Sequence, residues 1–234
     1  MPAYERSEST DLQVIDRWPD GVGWLAHPDE EGRRASHAVV GDDGVWVFDP
    51  LDAPGVDGLI AELGDVAGVA VLSSYHARDA GAFAARHDVA VHVPRWMDRV
   101  ADRVDAPVER YDVAIGGSGF RVRRFDPLSL WTEAVAYRAD DGTLVVPDLL
   151  ASAPGYTVGD ERVGVVLSHR LFPPRDALGD LDPERVLFGH GDGVFDDASA
   201  ALDDALDGAR KRFPRALVGQ LGTNIRLLAA AMTD

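Results

Sequence analysis

Three side chains able to bind a metal ion, Asp79, Asp148 and His190, each come shortly after an apolar run of the sequence. In sheets that contain parallel strands, the strand ends gather along one edge, so we expect these side chains to converge. Two carboxylates and one imidazole suit a divalent cation such as zinc, manganese or iron. The sequence therefore predicts at most one metal site, built from these three residues.

Each of the three residues also has a purely structural interpretation. Asp79 stands where an aspartate would cap a helix predicted for residues 79–87. Asp148 follows a proline and is equally suited to a cap or a turn, while His190 lies in the segment Gly-His-Gly, which is typical of a tight turn. Only their shared position after apolar runs favours the chemical interpretation.

The segment "SSYHARDAGA", which contains Asp79, offers two further polar side chains, Tyr75 and His76. Beside a single metal ion, either one is a candidate proton donor or oxyanion contact. A different interpretation keeps a binding cleft without any metal. In that case Arg78, His76 and Glu133 would bind a small anionic or polar ligand.

The elements that must position these residues are short strands alternating with helices. Strands followed by helices, twice over, predict an α/β (α+β) fold of two sheets with helices outside them. No long linker or repeat divides the chain, so we expect one domain over residues 1–234. We predict strands at residues 12–15, 21–26, 38–40, 45–48, 69–72, 89–93, 111–115, 119–125, 133–137, 143–146 and 185–188, and helices at 56–63, 79–87, 196–212 and 214–232.

The composition limits the possible partners. The chain carries 40 acidic and 23 basic residues, a formal net charge of −17, which repels nucleic acid. Cysteine is absent, so disulfides and thiolate metal sites are excluded. No apolar run approaches the roughly 18–20 residues of a membrane span, and no secretory signal is visible, so we expect a cytoplasmic protein without membrane contact. A small-molecule ligand fits these limits, and the oligomeric state stays open.

The type of charged residue is also informative. Lys211 is the only lysine, and aspartate is abundant throughout the chain. High salt shortens the distance over which charges repel, which makes such an acidic surface tolerable. The composition resembles that of proteins from a halophilic archaeon.

The order of these motifs resembles the metallo-β-lactamase superfamily over residues 36–194. "SHAVVGDDGVWVFDP" is similar to that family's first hairpin, in which a strand ends in an aspartate. "VAVLSSYHARDAGAFAARHDVAVHVP" resembles the strand, metal-binding loop, helix and next strand. "DGTLVVPDLL" resembles the strand that ends in the metal-bridging aspartate, and "PERVLFGHGDGV" the segment with the last histidine ligand. The resemblance implies a four-layer αββα sandwich of two mixed β-sheets flanked by helices and an ancestry among metal-dependent hydrolases.

The family's metal-binding loop, His-x-His-x-Asp-His, is degenerate in this sequence. Laid over residues 75–80, it matches only at Asp79, and His76 falls on a position that is not a ligand in the family. The family's histidine positions are occupied instead by Tyr75, Ala77, Ala80 and Trp131.

The resemblance therefore implies that the first metal site of the family is lost. The second site would keep Asp79, Asp148 and His190 and could hold one ion. We accordingly expect a hydrolase-like protein that has lost most ligands of the dinuclear centre and acts by binding a ligand rather than by catalysis. The alternative is a mononuclear metal-dependent hydrolase of the ester or thioester class that uses the three remaining residues.

Overall fold

Short strands rich in β-branched and aromatic residues, which suit a pleated and buried surface, make up most of the architecture. In the computed structural model, which describes residues 2–126 and 131–231, the described residues form thirteen strands and five α-helices. The strands are β1 Gln13–Trp18, β2 Gly21–Leu25, β3 Ala35–Val40, β4 Val45–Phe48, β5 Val66–Ala70, β6 Val91–Pro94, β7 Val108–Tyr111, β8 Arg121–Phe125, β9 Glu133–Arg138, β10 Thr143–Val146, β11 Leu150–Ala151, β12 Gly164–Val165 and β13 Arg185–Phe188. The helices are α1 Val56–Ala61, α2 Ala80–His87, α3 Asp98–Ala101, α4 Arg175–Leu178 and α5 Ala198–Ala231, and a 3₁₀ turn covers Leu167–His169.

Two mixed sheets carry the fold. The larger has the order β1-β2-β3-β4-β5-β6-β7, antiparallel from β1 to β4 and parallel from β4 to β7. The smaller has the order β13-β10-β9-β8, in which β10 and β13 are parallel and the other pairs antiparallel. A separate two-stranded ribbon pairs β11 with β12.

The four layers follow from the alternation of side chains along the strands of the smaller sheet. Val145 and Leu187 belong to the core shared with the larger sheet, while Val146 and Val186 belong to the core beneath α5. Phe83 of α2 belongs to the same cluster of buried residues, and α2 packs on β5 and β6 of the larger sheet. Helices therefore cover both sheets from outside, and the predicted sandwich of two mixed sheets flanked by helices is confirmed.

The predicted elements differ from the structure mainly at two places. The helices predicted on either side of residue 213 are one continuous helix, α5, which passes through Pro214. Proline removes one backbone hydrogen bond, and packing of α5 against the smaller sheet outweighs that local cost. The strand predicted at residues 111–115 lies earlier, as β7. Residue 232, the predicted end of the last helix, lies outside the described residues.

The shortest elements were not predicted from the sequence. The helices α3 and α4 have four residues each, and β11 and β12 have two. Elements of this length show no periodicity that a sequence pattern reveals. Within the described part of the chain, none of the helices combines the length and apolar character that crossing a bilayer requires.

Candidate metal centre

Asp148 and His190 leave the smaller sheet side by side. Strands β10 and β13 are parallel neighbours, and Val146 pairs with Phe188 at their ends. Asp148 and His190 each follow two residues after that pair, so the register of the strands brings the two side chains together. The expected convergence of these two residues is thus a direct consequence of sheet topology.

The third member of the cluster is His76, which lies in the loop between β5 and α2. Its Nε2 atom lies 3.2 Å from Oδ1 of Asp148, and Nε2 of His190 lies 3.2 Å from the same oxygen. A cation with ligands at about 2.0–2.1 Å in tetrahedral geometry separates its ligand atoms by about 3.3 Å. Both distances from Asp148 therefore match the spacing around one metal ion, and the three donor atoms all lie within 4.8 Å of one another. Two imidazoles with one carboxylate are a chemically suitable set for zinc or iron.

The two histidine rings are oriented by acceptors at their other nitrogen. Nδ1 of His76 lies 2.9 Å from Oδ2 of Asp49, and Nδ1 of His190 lies 2.7 Å from the carbonyl oxygen of Gly32. Because a carboxylate or a carbonyl only accepts hydrogen bonds, both Nδ1 atoms carry the hydrogen. The Nε2 atoms of both rings then face Asp148, an orientation that is typical of histidines that bind metals through Nε2.

Hydrogen bonds to its side chain and from its backbone hold Asp148 in place. The hydroxyl of Ser73 donates to Oδ2 of Asp148 at 2.5 Å. The backbone N–H of Asp148 donates to Oε2 of Glu133 at 3.0 Å, and Glu133 pairs with Ser73 in an isolated β-bridge. Ser73 and Asp49 were not predicted from the sequence as parts of the site. The position of Asp49 at the end of a strand of the first hairpin is the one sequence feature that could have indicated it.

The electrostatics of the centre favour positive charge between the rings. Burial and the Arg78 guanidinium lower the pKa of His76, but the carboxylates of Asp148 and Asp49 outweigh them, so its pKa is raised. Burial raises the pKa of Asp148, but His76 and His190 outweigh it and hold that pKa well below its usual range. Asp148 is therefore ionised, and its negative charge attracts a cation or a proton to the centre.

Asp79, expected as a ligand, lies outside this cluster. Its Oδ2 accepts a hydrogen bond of 2.7 Å from the backbone N–H of Asp52, in the loop after β4. Arg78 has φ 40, a left-handed turn of the backbone immediately before α2 begins. His76, expected outside the ligand set, is the third residue of the candidate cluster. A role for Asp79 as a ligand stays a prediction that this geometry does not support.

The other degenerate positions lie around the centre without completing a second cluster among the described residues. Ala80 is fully buried in the core, and Ala77 packs against it. The ring of Tyr75 lies beneath the guanidinium of Arg99, 4.6 Å from ring centroid to Cζ. Trp131 meets the ring of His169 edge to face at 5.9 Å. The indole and the alanines offer no ligand atom, so the structure shows a single candidate site.

A cleft of about 410 Å³ opens over the centre. Two aromatic rings border His190, with Tyr4 at 6.1 Å and Tyr156 at 5.5 Å between centroids, both nearly parallel to the imidazole. Neither tyrosine was a candidate in the sequence analysis, because Tyr4 reaches the site only through the folding of the N-terminal segment. The other lining residues are Arg34, Tyr75, His76, Arg78, Trp131, Asp148, Val166, Leu167, Ser168, Leu171, Phe213, Leu217, Asn224, Ile225, Leu227 and Ala231.

Arg78 places a positive charge beside the centre. Its Nη1 donates at 2.8 Å to the carbonyl oxygens of Ala35 and Asp49, which hold the side chain against β3 and β4. Its Nη2 lies 3.2 Å from Nε2 of His76. The guanidinium only donates, so this contact is a hydrogen bond when Nε2 of His76 carries no hydrogen.

Solved structures show what this architecture is similar to, although no protein-family model and no curated protein matches the sequence. The DIM-1 metallo-β-lactamase has a TM-score of 0.62 at 11% identity, over 88% of this chain and 99% of that chain. A metallo-β-lactamase from Pontibacter korlensis has a TM-score of 0.59 at 14% identity, over 86% and 99% of the two chains. The metallo-β-lactamase FIM-1 from Pseudomonas aeruginosa, in its mono-zinc form, has a TM-score of 0.54 at 13% identity, over 88% and 98%. At these identities the likeness concerns the fold, and the chain has the metallo-β-lactamase fold.

Proposed function

We propose that this protein binds one divalent metal ion through His76, Asp148 and His190 and acts as a mononuclear hydrolase of the ester or thioester class. The observation that carries the proposal is the pair of 3.2 Å distances from Oδ1 of Asp148 to the two Nε2 atoms. Three protein ligands that leave a position open are typical of catalytic rather than structural zinc sites. Zinc, manganese and iron are the candidate ions.

The chemistry divides between the ion and the chain. A bound cation supplies Lewis acidity and lowers the pKa of water. Asp49 and Gly32 hold the histidine rings, and Tyr75 lines the cleft as a candidate proton donor or oxyanion contact. Arg78 adds a positive charge that would stabilise an anion formed from a bound carbonyl group.

The proposal includes the loss of a dinuclear centre. Ala77, Ala80 and Trp131 supply no ligand atom, so one ion replaces the two that the resemblance to the superfamily would imply. We also infer one domain, a cytoplasmic location, no nucleic-acid partner and adaptation to high salt. The net charge of −17 supports the last two inferences.

A second candidate function is ligand binding without metal or catalysis. The specific observation in its favour is the Arg78 guanidinium, whose Nη2 lies 3.2 Å from the very Nε2 that a metal would need. Positive charge at that point competes with a cation. In this alternative the arginine binds an anionic ligand directly.

Metal analysis separates these functions. Protein purified without chelators and loaded with zinc, manganese or iron should hold about one ion per chain. The changes His76→Ala, Asp148→Ala and His190→Ala should each abolish stable binding and the turnover of p-nitrophenyl esters and thioesters. The control His87→Ala removes a histidine at the end of α2, outside the cluster, and should leave both unchanged.

Three outcomes would contradict the proposal. Two tightly held ions per chain would overturn the mononuclear centre. No ion under any loading condition would favour the binding protein. One ion with no turnover of any ester or thioester would leave the metal site standing and overturn the hydrolase.

A further inference from the structure

We infer that the ligand of the cleft carries a linear apolar chain, which lies along the C-terminal half of α5 while its polar end reaches the metal centre. This inference rests on the proposed function only for the identity of the polar end, an ester or thioester carbonyl group. The apolar chain itself is argued from the walls of the cleft, which are independent of any metal.

The first observation is a largely apolar wall, which Asn224 interrupts on α5. Phe213, Leu217, Ile225 and Leu227 of α5 line the cleft, with Leu171 facing them from the segment after the 3₁₀ turn. Side chains four residues apart share one face of a helix, so Phe213 and Leu217 project together. Phe213 and Leu227 lie about 21 Å apart along the helix axis, so the wall suits an elongated apolar group.

The second observation is the separation of polar from apolar groups. His76, Arg78 and Asp148 lie together at the centre, and Arg34 adds a second guanidinium near them. A ligand that is polar at one end and apolar along the rest matches this division.

The third observation is the charge of the lining. The chain has 40 acidic residues, yet Asp148 is the only acidic residue among the described residues that line the cleft. Arg78 lines it as well, and so does Arg34, whose charge is paired with the buried carboxylate of Glu30 at 2.8 Å. In a protein of net charge −17, a cleft with a single acidic lining residue favours neutral or anionic organic ligands over cationic ones.

The size of the cleft argues for a small molecule. Its volume of about 410 Å³ lies within the roughly 300–1,000 Å³ of pockets that enclose small ligands. The same helix also exposes Val218 and Leu221, which do not line the cleft. These two residues therefore provide matched controls for their neighbours that do.

The test measures binding of straight-chain carboxylates from butanoate to dodecanoate by calorimetry in molar salt, on metal-loaded and on chelator-treated protein. Burial of each added CH₂ should raise the affinity about fourfold until the chain fills the cleft. Leu217→Glu and Ile225→Glu should weaken binding of the longer acids tenfold or more. Val218→Glu and Leu221→Glu introduce the same charge on the same helix and should leave affinity unchanged.

Comparing metal-loaded with chelator-treated protein distinguishes a failure of the apolar wall from a failure of the metal centre. If chelator-treated protein keeps the dependence on chain length, the apolar wall stands even where the metal centre fails. Affinity that is independent of chain length would overturn the inference. So would equal losses in all four variants, or a dimer that these four changes dissociate, since the wall would then be an interface between two copies of the chain.

Discussion

Asp49 and His76 lie 27 positions apart in sequence, and their side chains meet at 2.9 Å between Oδ2 and Nδ1. The other oxygen of Asp49 accepts the backbone N–H of Leu72 at 2.8 Å, so one carboxylate ties the end of β4 to the loop that follows β5. This contact fixes the ring of His76 and directs its Nε2 toward Asp148.

Replacing that carboxylate should weaken metal binding without removing a ligand. Asp49 has φ 47, a conformation that asparagine also tolerates, so Asp49→Asn preserves the turn. Loss of such a partner typically costs about 10–100-fold in metal affinity, and we expect a loss of that size in competition with a chromogenic chelator. Asp57→Asn, which alters a surface pair with Arg86, is the control. Unchanged affinity in Asp49→Asn would show that the contact does not orient the ring.

Asp79→Asn should leave the metal content of the protein unchanged. The carboxylate accepts the N–H of Asp52, a contact that an amide oxygen can also make. The comparison variant is Asp148→Asn, which should lose the ion, with both measured by elemental analysis after identical loading. If Asp79→Asn loses the ion as completely as Asp148→Asn, then Asp79 is a ligand and the set of three described above is incomplete.

His37 should make the protein less stable in mild acid. Burial lowers the pKa of His37 to about 4, although its hydrogen bond to the carbonyl of Phe188 opposes the shift. The unfolded chain takes up this proton near pH 6.5 and the folded protein only near pH 4, so the free energy of unfolding falls across that window as pH decreases. The expected contribution is about 3 kcal/mol.

Urea unfolding at pH 7 and pH 4.5 measures this contribution. His37→Gln removes the titrating group and should show a smaller loss of stability between the two values. Equal losses in the two proteins would mean that His37 titrates alike in the folded and unfolded states.

The buried pair of Glu161 and Arg170 should be costly to break. Both side chains have no exposed surface, and two hydrogen bonds of 2.8 and 2.7 Å join them. Glu161→Gln leaves the guanidinium buried without its counter-charge, a change that costs about 3–5 kcal/mol. The exposed pair of Arg17 and Glu62 is the control, since Glu62→Gln should change stability by less than about 0.5 kcal/mol. Similar losses in both variants, measured by urea unfolding, would contradict this account.

Salt should stabilise the protein strongly. With a net charge of −17, repulsion between surface carboxylates opposes folding, and raising the salt from 0.1 to 1 M shortens the screening length from about 10 to about 3 Å. Tm should therefore rise steadily from 0.1 to 2 M potassium chloride. Thermal unfolding followed by circular dichroism measures the shift, and a Tm that stays constant or falls would contradict adaptation to high salt.

The sequence alone determined the layers of the fold and two members of the centre. Alternation of apolar residues is a local property, so it marks strands such as β10 and β13 wherever they lie. Asp148 and His190 follow those strands directly, and their convergence needs only that the strands be parallel neighbours. The hydrophobic period and the position after a strand were therefore sufficient to predict that these two side chains lie close together.

Only the tertiary structure places His76, and not Asp79, in one cluster with Asp148 and His190. His76 and Asp79 lie in one short loop, and no local pattern tells which side chain turns toward Asp148. The choice depends on the left-handed turn at Arg78 and on the contact with Asp49, which joins segments distant in sequence. The apolar wall of the cleft arises in the same way, because α5 continues through Pro214 when packing outweighs the proline's local preference.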